Sequence, residues 1–131
     1  MKIIHNLLFV LMLVTMLTAP SWAGQPDQGN PQTFTGEVMD DLCAKDKSHA
    51  KMMEEMKSMG NDPVVCSKKC VQLGAHYVLY DRQKDIIYAL ADQDKAEEFA
   101  GHRVRITGTI DKKKIKIAKI EPMDSGGQKS K

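Results

Sequence analysis

The chain has 131 residues, 42% of them hydrophobic, 27% charged and 5% aromatic, a composition that suits one ordinary soluble domain and leaves no room for a second. Its 19 Lys and Arg stand against 17 Asp and Glu, for a net charge of +2. That near balance excludes the one-signed field by which a dedicated nucleic-acid binder steers its partner.

The first 23 residues read as a segment to be subtracted. Lys2, the apolar run over residues 7–14 (LLFVLMLV) and then Pro20-Ser21-Trp22-Ala23 follow the order of charge, short apolar core and small residues before a cut that marks a secretory signal peptide. The mature chain is therefore expected to begin at Gly24, in the periplasm or outside the cell. The apolar run is short for a spanning helix, and no Cys follows it to carry a lipid, so no membrane anchor is expected after cleavage. Removing residues 1–23 takes away Lys2 and no acid, which leaves 18 basic against 17 acidic side chains.

Residues 24–32 (GQPDQGNPQ) hold two Pro, two Gly and no large apolar side chain, the composition of a solvated linker. Residues 124–131 (DSGGQKSK) form an equally polar tail that is expected to be disordered. The folded body is then 33–123. Within it, residues 33–40 (TFTGEVMD) alternate apolar and polar side chains as a first strand, with Gly36 marking a close approach of backbones. Residues 45–58 switch to the helical period, and Asp62-Pro63 supplies a cap followed by Pro at the first position of a second helix, which Gly74 ends. Residues 76–80 and 86–90 (HYVLY and IIYAL) flank a polar turn and read as a hairpin, residues 92–100 as a short helix stopped by Gly101, and residues 103–110 and 114–120 as two final strands. Gly108 inside the fourth strand predicts a bulge.

The expected architecture is mainly β: a small five-stranded OB-type Greek-key barrel, with a helical insertion at about residues 44–74 between strands 1 and 2 and a short helix between strands 3 and 4. The connection between the first two strands borders the binding face of such barrels, and it is here that the unusual residues collect. Tyr77, Tyr80 and Tyr88 on strands 2 and 3 would make a stacking surface for nucleic acid in other settings, but export argues against that partner.

Three blocks carry a resemblance: Gly36-Glu37-Val38-Met39-Asp40 followed by Cys43; Cys66-Ser67-Lys68-Lys69-Cys70-Val71 leading into Gly74-Ala75-His76-Tyr77-Val78-Leu79; and Phe99-Ala100-Gly101-His102-Arg103-Val104 with Ile106-Thr107-Gly108-Thr109. On these the chain resembles a family of small exported bacterial OB-fold-like domains of unknown function with a three-Cys motif. The resemblance implies export, the barrel and the three-Cys arrangement, and it brings no activity, substrate or catalytic residue.

The residues able to carry chemistry are Cys43, His49, Met52, Met53, Met56, Met59, Cys66 and Cys70. Three Cys cannot all pair within one chain, so an oxidising compartment leaves one disulfide with a spare thiol, a bond to a second molecule, or three thiolates on a metal. Cys66 and Cys70 are spaced i, i+4; their Cβ atoms on one helix lie about 5–6 Å apart, wider than the roughly 3.5–4.5 Å of a disulfide. Both face one way, so a third sulfur from Cys43 is expected to meet them. His49, Met52, Met53, Met56 and Met59 fall on one stripe if residues 45–58 form a single helix. Read plainly, that stripe packs the insertion on the barrel, Met being a good filler of gaps. Read as ligands, thioethers, an imidazole and thiolates form the soft set that selects Cu(I), while three Cys with His49 would close a four-coordinate zinc site.

Copper is thus the first expected cofactor and zinc the second, held by Cys43, His49, Met52, Met56, Cys66 and Cys70. The alternative is a non-enzymatic interaction module, with a periplasmic protein or small ligand on the barrel face and structural cysteines. No setting of Ser, His and Asp resembles that of a nucleophilic enzyme, and an enzyme is not expected.

Overall fold

The computed structural model describes residues 29–123; the expected signal peptide, all but the end of the linker and the tail lie outside them. The alternation read in the first strand becomes β1 (Gln32–Asp40), which buries Phe34, Gly36 and Val38 inward. Its last three residues, Val38, Met39 and Asp40, are all buried, because the chain that follows folds back over the strand's outer face. β2 (Tyr77–Asp81) and β3 (Ile86–Leu90) form the expected hairpin, followed by β4 (Arg103–Asp111) and β5 (Lys114–Pro122).

The five strands close on themselves in the order β1-β2-β3-β5-β4. β1 pairs antiparallel with β2 on one side and β4 on the other, with Glu37 opposite Tyr80 in the first ladder and opposite Arg103 in the second. The ring is sealed by a short parallel pairing of β3 with β5 at Ala89–Lys114 and Leu90–Ile115. Closure gives each strand a neighbour on both sides, which shortens the exposed edges, although β3 and β5 meet over only two residues. Val38, Leu79, Val104, Ile106 and Ile115 lie inside with no accessible surface, each such side chain contributing about 1.5–3 kcal/mol when withdrawn from water. Tyr77, Tyr80 and Tyr88 are also buried, so the tyrosines are packing residues and form no stacking surface.

Within the strands, sterics require glycine at positions 36 and 108. A Cβ on Gly36 would stand 2.5 Å from the Tyr80 carbonyl oxygen, and one on Gly108 2.2 Å from that of Lys116. The second coincides with a register shift in β4 between Thr107 and Gly108, the bulge expected there.

The insertion departs from the expected single helix over residues 45–58. Helical turns begin at once after the strand, as α1 (Asp41–Lys45), so Cys43 sits on a helix and not at a strand end. The chain then turns through Lys47 at φ 57°, makes the short helix α2 (Ala50–Glu55), leaves it at Met56 (φ −118°, ψ 84°) and adds one 3-10 turn at Lys57–Met59. α3 (Pro63–Gln72) follows as read from its capping residues, with the Asp62 carboxylate accepting from the Val64 N–H at 2.8 Å. A last helix, α4 (Gln93–Glu97), lies between β3 and β4, and its Ala96 closes the barrel core. Among the described residues no helix is long and apolar enough to cross a membrane.

Candidate metal site

The barrel core and the insertion meet at the end of β1, where successive residues serve opposite faces. Val38 belongs to the interior of the ring, while Met39 belongs to a second cluster with Cys43, Ala44, Met59, Cys66, Cys70, Val78 and Tyr80. Asp40, with no accessible surface, ends the strand and starts α1: one oxygen accepts from the Cys43 backbone N–H at 2.9 Å. Its other oxygen accepts from the Ser67 hydroxyl of α3 at 3.3 Å. This one carboxylate therefore ties together the strand, α1 and α3, and it turns the Cys43 side chain toward α3.

α3 presents Cys66, Ser67 and Cys70 to that face, all buried. The Cys43 and Cys66 sulfurs are 3.8 Å apart, and all three sulfurs lie within 4.8 Å of one another. Cys43 thus meets both partners, as the i, i+4 spacing predicted. None is bonded: all three are free cysteines, and 3.8 Å is far beyond the about 2.05 Å of a disulfide. The arrangement with one disulfide and one spare thiol is not the one the structure holds.

His49, 5% exposed, precedes α2 and approaches the group on its Cys43 and Asp40 side. Its Nε2 lies 3.2 Å from Glu37 Oε1 and its Nδ1 3.8 Å from Asp40 Oδ2. Nδ1 has no hydrogen-bond partner, the one such buried side-chain nitrogen or oxygen among the described residues. A ring nitrogen of His49, the Cys43 sulfur and an Asp40 oxygen also lie within 4.8 Å of one another.

The methionines divide. Met59 is buried in the thiol cluster and Met52 and Met53 pack half-buried against it, but Met56 is 41% exposed. The expected stripe of ligands is broken because the helix ends at Met56, whose own ψ has left the helical basin. Burial of the His49 ring on Glu37 and pairing of Lys47 with Asp85 accompany the break in the helix before α2. His76 and His102 are exposed, apart from this group.

Burial pushes all three thiols up from their ordinary range, and the Asp40 charge adds to it; Cys70 is raised to about 12, Cys66 is raised in the same direction, and Cys43 is raised furthest. Without a cation the cluster is three neutral thiols beside a buried carboxylate. A reactive thiol for disulfide exchange needs exposure and a lowered pKa, the opposite of what these residues have. A bound cation inverts that balance, since it favours every thiolate.

Asp40 and Glu37 escaped the reading of the sequence. Both showed there only as steps of the alternating strand over residues 33–40. A scan against protein-family models found no match, and searches of curated proteins and of solved structures found none either.

Proposed function

We propose that this is an exported protein that binds one soft metal ion between Cys43, Cys66, Cys70 and His49, on a barrel of the OB type. Export rests on Lys2, the apolar run and the Ser21 and Ala23 pair. The OB assignment is supported by five strands closed in the order β1-β2-β3-β5-β4, with a helix between the third and the fourth.

The observation that carries the metal reading is the triangle of buried, unbonded sulfurs beside an unpartnered imidazole nitrogen. Sulfurs bound at about 2.3 Å around one tetrahedral ion stand roughly 3.8 Å apart, and the Cys43 and Cys66 sulfurs stand at 3.8 Å. Three sulfurs and a nitrogen are the complete set of a closed zinc site. The sequence put copper first on a methionine stripe, and the fold breaks that stripe, so the donors brought together favour Zn(II). Cu(I) remains the second reading, favoured by the presence of Met59 in the cluster that holds the thiols and of Met52 and Met53 packed against that cluster.

So deep a site suits retention, in sequestration or in holding the insertion on the barrel, more than rapid delivery. The test is metal uptake by the reduced mature chain in competition with a chelator, for Zn(II) and Cu(I) separately. One ion per chain, lost on replacing Cys66 and Cys70 together by Ser, supports the proposal. Uptake of neither ion rejects it and leaves the interaction module as the surviving reading.

A further inference from the structure

The tautomer of His49 is decided by what faces each of its nitrogens. A carboxylate at Glu37 only accepts hydrogen bonds, and its Oε1 is 3.2 Å from Nε2, so the proton of a neutral ring is assigned to Nε2. Nδ1 is then a bare lone pair. It is buried and has no donor to accept from; its nearest charged neighbour, Asp40 Oδ2 at 3.8 Å, is itself an acceptor already taken up by Ser67. At 3.8 Å Nδ1 makes no hydrogen bond to Asp40.

We infer that His49 Nδ1 is the fourth ligand atom of the thiol site and that Glu37 is the positioning residue that points it there. The inference rests on the metal reading above and adds to it a ligand atom and a residue outside the donor set. Metal-bound histidines almost always donate their other N–H to a carboxylate or carbonyl, which fixes ring orientation and raises ligand basicity. Glu37 is placed for this by β1: three residues before Asp40 on the same strand, it reaches the outer face beside a cleft that Arg82 and Arg103 also line. Arg82 approaches its second oxygen at 4.0 Å, leaving Oε1 to the imidazole.

The experiment uses Zn(II) as the probe on the reduced mature chain. In the loaded wild type, nitrogen-15 NMR of His49 is expected to show a proton on Nε2 and the metal on Nδ1. Glu37→Ala is expected to weaken Zn(II) binding about ten- to a hundredfold, the usual loss for such partners. Glu37→Gln keeps an acceptor oxygen and is expected to recover most of that loss. Introduced into His49→Ala, Glu37→Ala is expected to cost nothing more, because it acts through the ring. Metal on Nε2 overturns the inference, as does Glu37→Ala binding like the wild type, or the same loss with and without His49. Should Glu37→Ala fail to fold, the wild-type spectrum and Glu37→Gln decide. Wild-type protein that binds neither Zn(II) nor Cu(I) refutes the metal reading itself, whereas normal binding with an indifferent Glu37 refutes only this inference.

Discussion

Raising the pH on the reduced, metal-free protein should unfold it through the thiol cluster. An unfolded Cys loses its proton near pH 8.5, while folded Cys70 holds it to about 12 and Cys43 higher still. Below about pH 8.5 both states carry the protons and stability is unaffected. Above it the unfolded chain binds fewer protons than the native one, so stability falls as pH rises, by about 1.4 kcal/mol per thiol per pH unit. By about pH 10 Cys43 and Cys70 together cost about 4 kcal/mol, a large share of the roughly 5–15 kcal/mol that holds a small domain. Urea denaturation of metal-free protein at about pH 8 and about pH 10 would measure this, with Cys43→Ser/Cys70→Ser as the control whose slope should flatten. Equal midpoints in the reduced wild type at both pH values would falsify the claim that the thiols are buried and neutral. Metal loading should reverse the sign: binding displaces thiol protons, so affinity rises with pH by up to about tenfold per unit for each proton released.

Replacing Met52, Met53, Met56 and Met59 together by Leu should leave the fold intact at less than about 1.5 kcal/mol per swap and leave Zn(II) affinity unchanged in chelator competition; a large loss of Zn(II) affinity in a folded variant would place thioethers among the ligands. Gly36→Ala should lower the melting temperature strongly, its Cβ having 2.5 Å to the Tyr80 carbonyl; the overpacking cost is about 1–3 kcal/mol, and an unchanged melting curve would contradict the β1–β2 register. Asp40→Asn keeps an acceptor for the Cys43 N–H but removes the charge that disfavours the thiolates, so Cys70 should titrate lower, read as faster alkylation at a fixed alkaline pH in mild denaturant. An unaltered rate would remove Asp40 from the electrostatics of the site.

The barrel was legible in the sequence where one local rule acted without competition. Alternation marked β1, a polar turn between two apolar runs marked the β2–β3 hairpin, Asp62 and Pro63 marked the start of α3, and Gly108 marked a bulge that the β4–β5 register reproduces. The meeting of Cys43 with Cys66 and Cys70 followed from what an i, i+4 pair can and cannot do on a helix. The methionine stripe failed for a physical reason: helical period is a property of an unbroken helix, and a single residue such as Lys47 at φ 57° or Met56 at ψ 84° resets the phase. Tertiary contacts of His49 and Lys47 outweigh the helix propensity of so short a segment. Asp40 and Glu37 were hidden for another reason. A carboxylate that caps a helix and one that anchors a buried cluster look alike in sequence, and only the return of α3 over the end of β1 reveals which is present.

X-ray absorption at the metal edge of the loaded, reduced mature protein tests the central claim most directly. The account predicts one ion per chain, for Zn(II) three sulfurs at about 2.3 Å and one nitrogen at about 2.0–2.1 Å, with the sulfur-bound metal signal lost in Cys66→Ser/Cys70→Ser. A shell of oxygen and nitrogen alone, or a sulfur shell that survives that double replacement, would contradict it.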